Sequence, residues 1–264
     1  MACIYCYSGT GNSLYAAKRI ASGINADVLS MTNAGATCDA DVIGFVFPTY
    51  FWGLPKTVEC FVKELIVTKK NPYIFAVTTY GSVIHGVIGV LENLLKKKGL
   101  NIAYGCGLKS VENYTPGYKI NDTPGLRNKN DENLKKITDD IAKRTPKKYS
   151  HSTIVNKLVM SFSPAKNGDC DKLFTVSDAC VGCGHCRDIC PTANIDIKNG
   201  KPVFLHHCEH CISCVHICKS EALDWKGGAA KHGRYLNRNI NAEELIAFSG
   251  RNGRHIENND SIKK

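Results

Sequence analysis

Eight of the fourteen cysteines fall into two runs of identical spacing. The first is Cys180, Cys183, Cys186 and Cys190, with Pro191 next; the second is Cys208, Cys211, Cys214 and Cys218. Three thiolates separated by two residues each wrap a tight loop and converge on one iron–sulfur cubane. The fourth falls on the helical turn that follows and points away, toward a second cubane. The implied pairing is crossed. Cys180, Cys183, Cys186 and Cys218 hold one [4Fe–4S] cluster, and Cys208, Cys211, Cys214 and Cys190 hold the other. The competing reading is zinc, but a structural zinc site takes its cysteines as two separated pairs. A run of four that occurs twice does not fit that pattern. The proline is missing after the second run, where Lys219 stands; its charge is expected to raise the potential of the nearer cluster slightly. His185, His206, His207, His210 and His216 surround the runs. With eight thiolates present they are expected to be surface groups, sensitive to pH, rather than ligands.

A second chemical signal is Ser8, Gly9, Thr10, Gly11, Asn12 and Ser13, which follow an apolar run and open a helical pattern. Backbone N–H groups and a helix dipole at such a turn face an anion, and the hydroxyls add hydrogen bonds. A Walker A loop needs a lysine, which is absent, and the dinucleotide fingerprint needs glycine where Leu14 stands. A hydroxyl-rich loop without Lys or Arg suits a mononucleotide phosphate held by neutral donors. It resembles the FMN phosphate loop of flavodoxins. That resemblance implies two more loops at strand carboxyl ends, flanking the isoalloxazine ring. One is Pro48, Thr49, Tyr50, Phe51, Trp52 and Gly53; the other is Thr78, Thr79, Tyr80 and Gly81. The aromatic side chains could stack on a flavin, and Gly81 would let backbone approach its edge. Asn113 and Tyr114 are weaker candidates for the same pocket.

Positioning these loops requires an ordered alternation of elements. Strand-like runs occur at 2–7, 41–47, 73–78 and 101–106, and helical patterns at 12–23, 55–67, 83–98 and 129–144. The rhythm predicts an α/β fold with a parallel sheet covered by helices on both faces, and about 145 residues suit five strands. The expected division is a flavodoxin-like doubly wound domain at 1–147, a connector at 148–168, a small α+β two-[4Fe–4S] ferredoxin-like domain at 169–225, and a basic extension at 226–264 with a fraying end. Ile154, Leu158 and Phe162 suggest a short helix in the connector. Cys3 and Cys6 have the spacing of a redox dithiol, but on a strand they face opposite sides and read as core. Cys38, Cys60, Cys106 and Cys170 have no partner at ligand spacing. Taken whole, the chain resembles the flavodoxin–ferredoxin fusion family.

The resemblance implies FMN and two [4Fe–4S] clusters in one chain. Clusters pass one electron at a time and a flavin holds one or two, so the expected function is electron transfer between one-electron and two-electron carriers. The alternative is a ferredoxin-fed, FMN-dependent reductase of a small organic substrate, with Tyr80 or Tyr114 as proton donor. No catalytic triad or metalloprotease motif appears, so no catalytic residue is assigned under the carrier reading. The expected partners are redox proteins, among them acidic ferredoxin-type carriers or oxidoreductases, or else a small-molecule electron acceptor. Cysteine use, the lack of about 18 consecutive apolar residues and an opening without signal-peptide character predict a cytoplasmic protein that does not insert in a membrane. The net charge of +10 would suggest nucleic acid. Its distribution argues otherwise: +7 over 1–150, +2 over 151–168, −3 over 169–225 and +4 over 226–264. Thiolates and cluster cores would take the cysteine-rich segment to about −7. Opposite fields are expected to dock the two modules or to recruit an acidic carrier.

Overall fold

The computed structural model describes residues 1–149 and 169–250. The expected connector helix and the fraying end at 258–264 lie outside the described residues. Elements run β1 (Ala2–Cys6), α1 (Asn12–Ile24), β2 (Asp27–Ser30), β3 (Thr37–Cys38), β4 (Val42–Pro48), α2 (Lys56–Glu64), β5 (Ile66–Val67), β6 (Tyr73–Tyr80), α3 (Val87–Lys96), β7 (Tyr104–Lys109) and α4 (Pro124–Ala142). After residue 168 come β8 (Phe174–Val176), α5 (His185–Asp188), β9 (Ile195–Lys198), β10 (Lys201–Phe204), α6 (Ser213–His216), β11 (Leu223–Trp225), α7 (Gly228–His232) and α8 (Ala242–Ser249).

Five strands form one parallel sheet in the order β2-β1-β4-β6-β7. The two-residue β3 and β5 pair only with each other. Leaving them aside, the order is 2-1-3-4-5, the flavodoxin-like doubly wound arrangement, with its switch point between β1 and β4. β4 and β6 are nearly continuous apolar runs because helices cover both of their faces. Gly44 is required in β4, since a Cβ there would stand 2.3 Å from the Phe75 ring. Cys3 and Cys6 do diverge, Cys3 to the apolar layer on the α2/α3 side and Cys6 to that on the α1/α4 side.

Several boundaries differ from the sequence reading, each for a local reason. The helix expected to reach residue 67 stops at Glu64, and the β-branched Ile66 and Val67 pair with Thr37 and Cys38 instead. The helix expected from 83 begins at Val87, because 81–86 turns at the mouth of the site. α4 begins five residues early, capped by the Thr123 hydroxyl, which accepts from Leu126 N at 3.3 Å, with Pro124 in its first turn. The last strand lies three residues later than expected. β2, not singled out from the sequence, is an edge strand whose side chains are exposed or half-buried.

The cysteine-rich segment forms two antiparallel pairs, β9 with β10 and β8 with β11, and two one-turn helices. Its Ile189, Ile195, Ile212, Ile217 and Leu223 join the same apolar layer as Leu14, Ile20 and Leu134. The segment is thus packed into the α/β unit. Among the described residues no ion pair joins 1–149 to 169–225. The described contacts across that boundary are hydrogen bonds and apolar packing. No helix among the described residues is long and apolar enough to cross a membrane.

Candidate functional site

A cleft of about 310 Å³ opens at the carboxyl ends of β1, β4, β6 and β7. It sits where an open α/β sheet places its ligand. Ser8, Gly9, Thr10, Asn12, Ser13, Pro48, Thr49, Tyr50, Phe51, Trp52, Thr79, Tyr80 and Gly81 all line it, as do Asn113 and Tyr114. Gly11, Gly53 and Thr78 do not. Gly11 faces away, Gly53 closes the turn by exchanging backbone hydrogen bonds with Tyr50 at 3.1 and 2.7 Å, and buried Thr78 bonds Thr49 through the hydroxyls at 2.8 Å. The structure adds Ser82, Val83, Ser110, Val111, Glu112 and Tyr118, and, from the second cysteine run, His210, Cys211 and Ile212. These are loop residues far apart in sequence, so no periodicity announces them.

Local geometry gives the cleft a hydroxyl-rich end and aromatic walls. Gly11 N–H donates to the Ser8 hydroxyl at 3.1 Å and thereby tightens the loop. The Ser13 and Thr79 hydroxyls bond at 2.7 Å, and Asn113 Nδ2 donates to Thr10 Oγ1 at 2.5 Å. Phe51 and Trp52 have φ of 48° and 61°, the left-handed region that non-glycine residues enter only at a cost. No Lys or Arg lines the cleft among the described residues, in keeping with a loop of neutral donors. Burial pushes the Tyr50 phenol well above its usual range and the Tyr114 phenol up to about 12, with Cys170 adding to the latter. A second cavity of about 180 Å³ lies beyond Asn12, against α4. Its walls carry Arg127, paired with Asp122 at 2.9 Å, Asp131, which accepts from the Tyr15 hydroxyl at 2.8 Å, and Arg238, and none of the aromatic loops.

The two cysteine runs have the same backbone. Each places its third cysteine in a one-turn helix and its fourth just beyond. Left-handed residues recur at equivalent places, Gly182 with His210, Gly184 with Ile212, and Ala193 with Glu221. The thiols perturb one another within and between the two runs. Burial pushes Cys186 up to about 11, opposed by the Arg187 N–H, with Cys183 and Cys218 adding to the rise. Burial, the Glu209 carboxylate and Cys190 push Cys211 up to about 12. Cys214 is raised by burial, Cys211 and Cys190, and also by Cys186 of the other set, so the sets adjoin. Iron takes cysteine as the thiolate, so binding at these buried thiols would release their protons. Among the described residues no three His, Cys, Asp or Glu side chains converge on a single-ion position. Hydrogen bonds reach the sulfurs from Asn194 N to Cys190 (3.2 Å), His210 N to Cys208 (3.3 Å) and Ser213 Oγ to Cys211 (3.3 Å), and such bonds tune cluster potentials.

One sequence expectation needs correction. His210 and His216 are buried, not surface groups. The neutral His216 ring donates from Nε2 to Asn113 O (2.8 Å) and accepts from Tyr235 N (3.1 Å), and burial lowers its pKa to about 4. Cys170 stands against the second run, its thiol 3.7 Å from Cys208 O, and Cys3 and Cys38 lie with their sulfurs 3.4 Å apart. The exposed Lys219 ammonium is ion-paired with Glu243 at 2.7 Å.

The extension after 225 is not a loose tail over its described part. Asn237 N donates to Thr10 O (2.9 Å), while Tyr235 Oη and Asn237 Nδ2 donate to Asn12 Oδ1 (2.7 and 3.0 Å). α8 then binds α1 through Lys18 and Glu244 (2.5 Å), and Asn33 Nδ2 donates to Gly250 O (2.6 Å). This strap buttresses the phosphate loop from behind. Gly11 has φ of 91°, and a Cβ there would meet Asn237 Cβ at 3.0 Å and Ile240 Cβ at 3.1 Å. Asn237→Ala is expected to weaken FMN binding about five-fold, the worth of one lost hydrogen bond. Titration followed by flavin fluorescence would show it, and an unchanged affinity would refute the buttress.

No family model matches the chain. A stretch of 27 residues, 10% of the chain, is 52% identical to Ferredoxin-2 of Desulfomicrobium norvegicum and covers 46% of it, so the chain spans a little under half the length of that curated relative. Among solved structures, the chain is similar to the flavodoxin of Streptococcus pneumoniae TIGR4 (17% identity, 55% of this chain, 99% of that one, TM-score 0.40). It is also similar to two-electron reduced Megasphaera elsdenii flavodoxin (17%, 40%, 85%, TM-score 0.34) and to an azoreductase of Bacillus anthracis str. Sterne (10%, 54%, 100%, TM-score 0.38). The fold itself is carried by strand order and register: a flavodoxin-like sheet with a cysteine-rich segment packed against it.

Proposed function

We propose that the chain is an electron-transfer iron–sulfur flavoprotein that exchanges electrons between two [4Fe–4S] clusters and FMN. The observation that carries this reading is the wall shared by the two chemistries. His210, Cys211 and Ile212 of the second cysteine run line the cleft that the phosphate loop also lines. When bound, the clusters would supply one-electron chemistry and the flavin one- or two-electron chemistry. The protein's own residues bind and orient them. Cys208, Cys211, Cys214 and Cys190 would hold the inner cluster beside the cleft. Cys180, Cys183, Cys186 and Cys218 would hold the outer one, where Cys183 and Val181 are exposed to a redox partner. The segments divide as 1–147, 148–168, 169–225 and 226–264, and the described part of the last, to residue 250, serves as the strap.

A second reading is an FMN-dependent reductase of a small organic molecule. It is favoured by the exposed apolar surface at the mouth of the cleft, Trp52, Val83 and Tyr118. Two measurements test these readings. Anaerobically purified protein is expected to hold about eight iron, eight sulfide and one FMN per chain; zinc, or no flavin, would overturn both. Reduced protein is expected to be reoxidised by protein carriers. Steady-state turnover with a small substrate would favour the reductase.

A further inference from the structure

His210 stands in the second cysteine run where the first run has Gly182, and both residues are left-handed, with φ of 59° and 68°. Glycine suits that backbone best. A histidine kept there has a side chain with something to do, and its surroundings say where. The ring is 1% exposed and lines the cleft. It packs between Phe51 and Tyr114, each 5.6 Å away between centroids, and Trp225 at 4.5 Å. Neither ring nitrogen has a nitrogen or oxygen partner among the described residues. Cys170 Sγ, which faces Cys208 O at 3.7 Å, is the one group set to accept from a ring N–H, and the other nitrogen is left unmet. A buried polar atom left unmet costs about 1–3 kcal/mol, and native proteins seldom leave one so. The imidazole is therefore built for a group that enters the cleft. A flavin ring offers what that nitrogen lacks, carbonyl acceptors and an N–H donor along one edge, and its flat face suits the aromatic walls.

We infer that His210 is a flavin-binding residue, whose imidazole joins the cysteine loop by a hydrogen bond to the polar edge of the flavin ring. The loop that supplies Cys208 and Cys211 to a cluster then also grips the flavin. This assignment rests on the reading of the cleft as an FMN site.

The test uses the full chain with its clusters assembled anaerobically. His210→Phe keeps the ring and removes both nitrogens. It is expected to raise the FMN dissociation constant about ten-fold, read by flavin fluorescence, and to shift the flavin absorption bands. The thermal midpoint of the FMN-free protein is expected to be unchanged or higher, because the unmet nitrogen is gone. His210→Asn, which tolerates left-handed backbone and restores a donor and an acceptor, is expected to recover most of the affinity. Unchanged FMN affinity and spectrum in His210→Phe would overturn the assignment. So would a loss of FMN-free stability that alone accounts for weaker binding, since that marks a packing role. Wild-type protein that takes up no FMN would overturn the FMN reading along with it.

Discussion

Cys190→Ala is expected to remove the cluster of the second cysteine run, and Cys218→Ala that of the first. Each variant should fall from about eight to about four iron per chain. The reason lies in the neighbours of each thiol. Cys190 lines one small cavity together with Cys208, Cys211 and Cys214 of the second run, and Cys218 is close enough to Cys186 of the first to act on its thiol. The two losses should also differ in a second readout. Cys190→Ala disturbs the loop that walls the cleft and should release FMN, while Cys218→Ala should retain it. Paramagnetic resonance of the reduced variants, with iron and FMN measured on the same samples, separates the cases. Loss of the cluster belonging to its own run in either variant would sink the crossed assignment.

The second large effect is expected at Glu209. Its side chain is buried and is the acceptor for three donors of the α/β unit: the Tyr7 hydroxyl, Thr57 N at 3.0 Å and Thr57 Oγ1 at 3.0 Å. Burial raises its pKa, while these same bonds pull it back. Glu209→Ala leaves three buried donors unmet. At about 1–3 kcal/mol for each, and less than additive, the loss is about 3–5 kcal/mol. Glu209→Gln keeps one acceptor oxygen and should lose about 1–2 kcal/mol. The second cysteine loop is held to the sheet edge by this side chain, so FMN retention should fall in step with stability. Anaerobic denaturant unfolding with FMN release followed in parallel measures both. A Glu209→Ala midpoint equal to wild type would show that apolar packing alone docks the modules.

Much of the site was legible because its signals are local. The cysteine spacing records the wrapping of one loop, and the Ser8–Ser13 spacing records one strand-to-helix turn. The runs at 41–47 and 73–78 are apolar because both sheet faces are covered, and they set the loops that follow at the carboxyl edge. Element ends were less legible. Ile66 and Val67 continue a helical apolar pattern, yet their β-branched side chains are used in a two-residue strand. The contacts between the modules were not legible either: among the described residues they run through Glu209, His216 and apolar side chains.

The sequence by itself determined the ligand types, their grouping and the order of the α/β elements, because each depends on neighbours a few residues apart. Only the tertiary structure decided that the two groups share one cleft. It alone brought His210 and Cys211 to the phosphate loop, Cys170 to Cys208, and Asn237 to the back of Asn12. Those contacts join residues tens to hundreds of positions apart, and their geometry follows from how a shared apolar core closes. A histidine beside a cysteine run looks the same in sequence whether water or the wall of a cleft surrounds it. Burial makes that distinction, and burial is a property of the packed chain.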